Sequence, residues 1–163
     1  MGQINTRGIC LLGPTTVTTS GTGPDIVLIQ AFQAAIITAT LSTTSGTLPT
    51  FDIYLQKRLE QPAATDVSGG LPSGTPIYDD LLHFTQLTTN SSRIAQLVTG
   101  PQSPTANATV VTTADWLQSD AALTAGDIRI GPLGGAWRIK YVITGTTPST
   151  VLSVTAQLIP FST

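Results

Sequence analysis

Trp137-Arg138-Ile139-Lys140-Tyr141-Val142-Ile143 and, shortly after it, Val151-Leu152-Ser153-Val154-Thr155-Ala156-Gln157-Leu158 decide the fold class of this chain. In the first segment Trp137, Ile139, Tyr141 and Ile143 alternate with Arg138 and Lys140. In the second, Leu152, Val154, Ala156 and Leu158 alternate with Ser153, Thr155 and Gln157. A period of two sends successive side chains to opposite faces of a strand, so both segments read as half-buried β-strands. Between them lies Gly145-Thr146-Thr147-Pro148. The same Gly-Thr-x-Pro pattern occurs as Gly46-Thr47-Leu48-Pro49 and as Gly21-Thr22-Gly23-Pro24. Glycine permits positive φ and proline fixes φ while blocking a helix. The motifs at 46–49 and 145–148 are therefore expected to be hairpin turns, equivalent corners of two sheets. Chance recurrence in a chain so rich in Thr and Gly is the competing explanation.

Upstream the same alternation continues. Phe51, Ile53 and Leu55 face one way and Asp52, Tyr54 and Gln56 the other; before them Ile37, Ala39 and Leu41 oppose Ile36, Thr38 and Thr40. Apolar or alternating runs at 25–30, 84–88, 93–98, 109–117 and 127–130 add further short strands. Only Ile77 to His83 reads as a helical turn. Long Pro-, Gly- and Ser-rich stretches at 59–76 and 99–107 read as loops. The expected fold is all-β, an antiparallel β-sandwich or jelly roll of roughly eight strands. Residues 1–24 are expected to form an N-terminal extended arm, with a plain edge strand as the other reading, and residues 25–163 a single β-sandwich domain.

Composition agrees with strands. The 163 residues include 29 Thr and 12 Ser but only two Lys (Lys57, Lys140) and one Glu (Glu60). Thr favours strands, whereas Lys and Glu favour helices. Charged residues make up 10% of the chain, against roughly 25% in an ordinary soluble domain. A surface so poor in charge suits a chain packed against copies of itself or a partner, or else an extracellular β domain in which Thr and Ser replace charge. The net charge of −2 gives no strong attraction to nucleic acid or to anionic membranes. No apolar run is long enough for a transmembrane helix, and the first residues lack the regions of a signal peptide. Gly2 and Thr6 match a myristoylation spacing only formally. Assembly in a cytoplasm is expected.

Candidate chemistry is sparse. Cys10 is the single cysteine, so an internal disulfide or a multi-cysteine zinc site is excluded, and its apolar surroundings predict a buried thiol. His83, the single histidine, sits near Asp79 and Asp80. One imidazole beside two acids is weak as a triad or a transition-metal site, and a partly exposed side chain next to Phe84 is expected instead. Calcium at Asp79 and Asp80 would need only oxygen ligands, but no EF-hand spacing is present. The acids are scattered, which does not suggest paired carboxylates. Gly131-Pro132-Leu133-Gly134-Gly135 is a poor phosphate cradle, because proline lacks a donor amide. Arg129, Arg138 and Lys140 form either a patch for an acidic surface or the solvated face of a sheet. Asn90-Ser91-Ser92 and Asn107-Ala108-Thr109 match glycosylation sequons, which matter only in a secreted chain. No catalytic, cofactor-binding or metal site is expected, and the chain is not expected to be an enzyme.

Several segments in order carry a resemblance. Ser45-Gly46-Thr47-Leu48-Pro49-Thr50 leads into Phe51-Asp52-Ile53-Tyr54-Leu55-Gln56. Phe84-Thr85-Gln86-Leu87-Thr88 comes later, then Gly135-Ala136-Trp137-Arg138 ahead of Thr144-Gly145-Thr146-Thr147-Pro148-Ser149. Over roughly 34–158 this order resembles small β-sandwich virion proteins of tailed bacteriophages, including capsid decoration (cement) and neck proteins. Tyr78, followed by Asp79, stands where members often carry an aromatic residue before the Phe-Thr-Gln strand. The resemblance implies a structural protein of the virion that binds the major capsid protein or other virion proteins. A decoration role on the outer shell is expected, in a homo-oligomer with a trimer favoured. Neck, tail or fibre components are the alternatives within the particle. Outside it the alternative is a lectin-like carbohydrate- or receptor-binding β-sandwich, with Trp116 or Tyr78 as a stacking platform and loops 59–76 and 99–107 around it.

Overall fold

The structure, a computed structural model, describes residues 7–28, 32–59, 76–98, 109–111, 123–129 and 133–161. Every regular element in it is a strand: β1 (Arg7–Val17), β2 (Gly21–Thr22), β3 (Ile26–Leu28), β4 (Phe32–Leu59), β5 (Ile77–His83), β6 (Ser91–Val98), β7 (Thr109–Val111), β8 (Asp127–Arg129) and β9 (Gly135–Pro160). They form one open sheet, antiparallel except for the β7–β8 pair. The chain is all-β, as the alternation and the Thr content predict.

β4 and β9 organise the sheet. At 28 and 26 residues they far exceed the usual strand of about 5–6 residues. They pair with each other along their whole length, from Phe32↔Pro160 to Lys57↔Trp137. On the free side of β9, β1, β2 and β3 follow one another from Arg7↔Leu158 through Val17↔Thr150 and Gly21↔Tyr141 to Leu28↔Gly135. On the free side of β4, residues 77–98 do the same. β5 runs from Ile77↔Leu59 to His83↔Tyr54, Leu87 exchanges two backbone hydrogen bonds with Phe51, and β6 runs from Ser91↔Leu41 to Val98↔Ala34. Four long ribbons therefore lie side by side in the order 7–28, 135–160, 32–59 and 77–98. Most of the short strands predicted from the pattern are parts of these ribbons; of 84–88 only Leu87 pairs, as a bridge to Phe51, and 112–117 lie outside the described residues. β8 and β7 continue the sheet beyond β5.

Each ribbon bends near its middle, and the two Gly-Thr-x-Pro motifs sit at the bend. They are not hairpin turns. They lie within β4 and β9 and face each other. Gly46 has φ 109° and Gly145 φ 114°, while Leu48 and Thr147 sit at φ 51° and 47°. A Cβ on Gly46 would stand 2.8 Å from the Thr147 carbonyl oxygen and 2.9 Å from Pro148 Cα; one on Gly145 would stand 2.9 Å from the Leu48 carbonyl oxygen and 3.0 Å from Pro49 Cα. The two motifs are thus related by a local two-fold, each glycine pressed onto the x-Pro pair of the other. β4 carries one residue that breaks this symmetry. Residues 43–44 oppose Thr150 alone, a bulge in which Thr43 takes φ 53°. Thr150 is fully buried there, donating to the Ser42 carbonyl at 3.0 Å and contacting the Thr44 hydroxyl at 3.0 Å.

The bend doubles the sheet over. Phe32 stands at one end of β4, and Trp137 pairs with Lys57 near the other. A straight strand would hold those points roughly 80 Å apart. Instead the two rings meet edge to face at 5.4 Å. The inner side chains of the first half-sheet (Ile37, Ala39, Leu41, Leu97, Leu152, Val154) and of the second (Phe51, Ile53, Leu55, Leu82, Trp137, Ile139) consequently form one core cluster. The strand faces predicted for 37–41, 51–55 and 152–158 match the buried sets.

Three expectations change. Residues 77–83 form β5, because their backbone pairs with 54–59 of β4. Of the expected arm, residues 7–24 lie along β9 with Leu11, Leu12 and Val17 in the core, which makes them the edge of the domain's own sheet. Residues 1–6 lie outside the described residues. Cys10 is exposed, since Ile9 and Leu11 take the inward positions on either side of it.

Replacing Gly46 or Gly145 by Ala is expected to lower stability by at least about 2 kcal/mol each, through positive φ and contact below 3.0 Å with backbone. The double variant should lose less than the sum, because both changes deform one crossing. Urea midpoints read at constant m-value check both statements. Leu48 is 85% exposed with φ 51°, so Leu48→Asn should raise stability by about 0.5–1 kcal/mol as the strain is relieved.

Candidate functional site

The doubled sheet has two outer faces with opposite chemistry. On the second half, position parity along 50–59, 135–144 and β5 brings Asp52, Tyr54, Gln56, Arg58, Arg138, Lys140, Tyr78, Asp80 and His83 to one side. They form a connected network. The Gln56 amide donates to Asp80 Oδ1 at 2.7 Å, and its carbonyl oxygen accepts from Arg138 Nε at 2.8 Å. The Arg138 guanidinium lies over the Tyr78 ring, 3.2 Å from its centroid. The Tyr78 hydroxyl donates to the Asp25 carboxylate, with Oδ2 at 2.8 Å, and Arg58 pairs with the same carboxylate at 3.4 Å. Alongside, the Tyr54 ring stacks on His83 at 3.9 Å and carries Lys140 Nζ over its plane at 4.7 Å.

His83 is buried, not partly exposed as its place beside Phe84 suggests. β5 and β4 close over it. Nδ1 donates to the Leu123 carbonyl oxygen at 2.7 Å. Nε2 lies 3.3 Å from Asp52 Oδ1, and Gln86 donates to the same carboxylate. The His83 carbonyl accepts from Gly126 N at 2.8 Å. Nδ1 and the backbone carbonyl thus tie the 123–129 segment to β5, while Nε2 faces Asp52 of β4, a bracing role. Asp79 and Asp80 point to opposite sides of β5, Asp80 toward Gln56, so they do not converge on one ion. Among the described residues no three His, Cys, Asp or Glu side chains gather as a metal site.

Burial, more than any charge, sets the proton affinities here. It raises the Tyr54 hydroxyl above the ordinary tyrosine value, with Asp52 and Asp80 adding to the effect. Burial likewise raises Tyr78, and so do its hydrogen bond to Asp25 and the charge of that carboxylate, against the opposing charges of Arg138 and Arg58. Lys57 is lowered by burial, partly offset by Asp79. Of Arg129, Arg138 and Lys140, expected as a basic patch or a solvated face, Arg138 and Lys140 are committed to Tyr78 and Tyr54, and the Arg129 side chain lies outside the described residues. Arg138 also covers a face of the Tyr78 ring that a stacked sugar would use. Trp116, Asn107 and most of loops 59–76 and 99–107 lie outside the described residues.

The outer face of the first half-sheet differs in kind. Register brings together Gly8 and Cys10 of β1, Ser153, Thr155 and Gln157 of β9, Ile36, Thr38 and Thr40 of β4, and Ser92, Ile94 and Gln96 of β6. No charged side chain stands among them. Gly8, Cys10, Ile36, Thr38, Thr155 and Gln157 line a shallow open groove across the three strands.

No family model, curated protein or solved structure matches this chain. The two faces are therefore read from their own chemistry. The sequence shows the alternation that builds each of them, but not which strands lie side by side. The uncharged face is missed for that reason: it exists only once 36–40, 92–96 and 153–157 are adjacent.

Tyr78→Phe is expected to lower stability at neutral pH by about 1–2 kcal/mol, through loss of a hydrogen bond to a carboxylate. A tyrosine whose folded pKa is raised contributes stability that is present below the unfolded value of about 10 and lost as pH climbs through the folded value. The native chain should accordingly lose stability above about pH 10, and Tyr78→Phe should lose less of it there. Urea midpoints measured from pH 7 to 11 check the sign.

Proposed function

We propose that this chain is a structural component of a tailed-bacteriophage virion, a capsid decoration protein that lies on the outer shell and reinforces contacts between capsomers. The observation that carries the reading is the segregation of charge. Most of the charged side chains on the outer face of the second half are held by partners within the chain, while the first half presents a four-strand face of Thr, Ser, Gln, Gly, Cys and Ile. Docking a charged face requires stripping water from ions, which costs several kcal/mol per ion unless each is paired. A face of hydroxyls, amides and β-branched side chains carries no such cost, and interface cores are depleted of charge accordingly. The resemblance of the motif order to small phage virion proteins supports the same reading, as does the charge-poor composition.

Strand spacing and rise give this face roughly 500 Å², short of the about 800 Å² per partner of a stable interface. One copy would bind a shell weakly, and several joined copies would bind far more tightly through avidity. That arithmetic supports a homo-oligomer.

The test is co-sedimentation of the purified chain with expanded capsids assembled from the shell protein of the same genome. The native chain should pellet with them, and Thr155→Asp should weaken binding by roughly tenfold or more by placing an ion at the centre of the face. A native chain that stays in the supernatant would refute the proposal. So would a Thr155→Asp variant that binds as well as the native chain.

A further inference from the structure

The first half-sheet ends in two edges, β1 and β6, and they are built differently. β1 is irregular. Its register against β9 shifts between Cys10 and Leu12 and again between Leu12 and Thr15, and it contains Gly13-Pro14. Bulges and proline on an edge strand block the addition of another strand. β6 has neither. It pairs with β4 in unbroken register over eight residues, and among the described residues no strand pairs with its far side. That side presents a straight row of backbone N–H and C=O groups, a template that another strand completes. Near its middle Ile94 is 71% exposed on the uncharged outer face.

We propose that β6 is a self-pairing edge. Two copies of the chain join antiparallel, β6 to β6, about a two-fold axis through Ile94. The occupant has to be a strand, because the groups left unmade belong to the main chain. β6 itself fits that requirement. With Ile94 opposite Ile94 of the second copy, Ser92 stands opposite Gln96 and Arg93 opposite Ala95, so apolar meets apolar and no like charges face each other directly. Arg93, the one charge on the strand, points to the inner side and donates from Nε to Thr85 Oγ1 at 2.9 Å within its own chain. Such a two-fold contact closes on itself and gives a discrete dimer in place of a filament. It also joins two four-strand faces into one continuous uncharged surface eight strands wide. The edge alone carries the inference, whatever surface that face meets.

Sedimentation equilibrium of the full chain tests it. The native chain should be a dimer. Ile94→Lys and Ile94→Glu, at an exposed position that leaves the core intact, should each weaken association by about tenfold or more, because like charges then face each other across the axis. An equimolar mixture of the two variants should recover the dimer, since Lys then faces Glu. Val27→Lys, an exposed change on β3 in the other half-sheet, should leave association unchanged. Thermal midpoints confirm that the variants fold. A monomeric native chain, an undiminished dimer in Ile94→Lys, or a mixture that stays monomeric would each overturn the proposal.

Discussion

Two glycines facing each other across the middle of the sheet, Gly46 and Gly145, are the contact on which the rest of the fold depends. Each lacks a Cβ where the carbonyl and Cα of the other motif stand 2.8–3.0 Å from the place it would occupy. Because the backbones approach so closely, β4 and β9 can both turn at the same level without breaking their ladder. The flanking ribbons turn with them, residues 84–90 beside β4 and 18–20 beside β9, where Ser20 bonds the backbone of Ile143. The sheet folds double at that line, bringing Phe32 to Trp137 and merging the inner faces into one core. Thr43 marks a mismatch between the two strands beside this crossing. Its positive φ absorbs the extra residue of β4 between Ser42 and Ser45.

The alternation of Ile37, Ala39 and Leu41, of Phe51, Ile53 and Leu55, and of Leu152, Val154 and Ala156 made the class and the buried faces legible in the sequence. Period two is a local property and survives any arrangement of the strands. The bend was not legible. Gly and Pro between two alternating runs carry the same local signal whether the chain reverses or merely kinks, and what decides is a partner 99 residues away. The same holds for 77–83, whose Asp79-Asp80 pair weakens any strand pattern until β4 supplies the ladder. His83 became a buried brace only because Asp52 and Tyr54 of β4 and Leu123 of a distant segment converge on it.

The polar network on the second half and the bare face on the first are two sides of one economy of charge. Few ions are present, and those on the doubled sheet are mostly held by partners: Asp25 by Arg58 and Tyr78, Asp80 by Gln56, Asp52 by Gln86 and His83. Partly buried carboxylates kept hydrogen-bonded in this way hold their neighbours in place. What remains on the first half is a surface of hydroxyls, amides and β-branched side chains, which costs little to desolvate and ends at β6, whose far side pairs with no strand among the described residues.

The crossing also governs the order in which the molecule can form. β4 is synthesised about 100 residues before the half of β9 that it must meet, so joining them closes a loop costing on the order of 4 kcal/mol of chain entropy before any core forms. Non-local antiparallel pairing of this kind is slow to nucleate. Until residues 135–160 have been made, β1 has no strand to lie on, β4 has one side bare, and neither half of the sheet has its inner layer. A chain made only as far as residue 134 therefore lacks the strand that both β1 and β4 pair with. The uncharged outer face becomes a defined surface only when residues 135–160 pair between the first two ribbons and bring the glycines together.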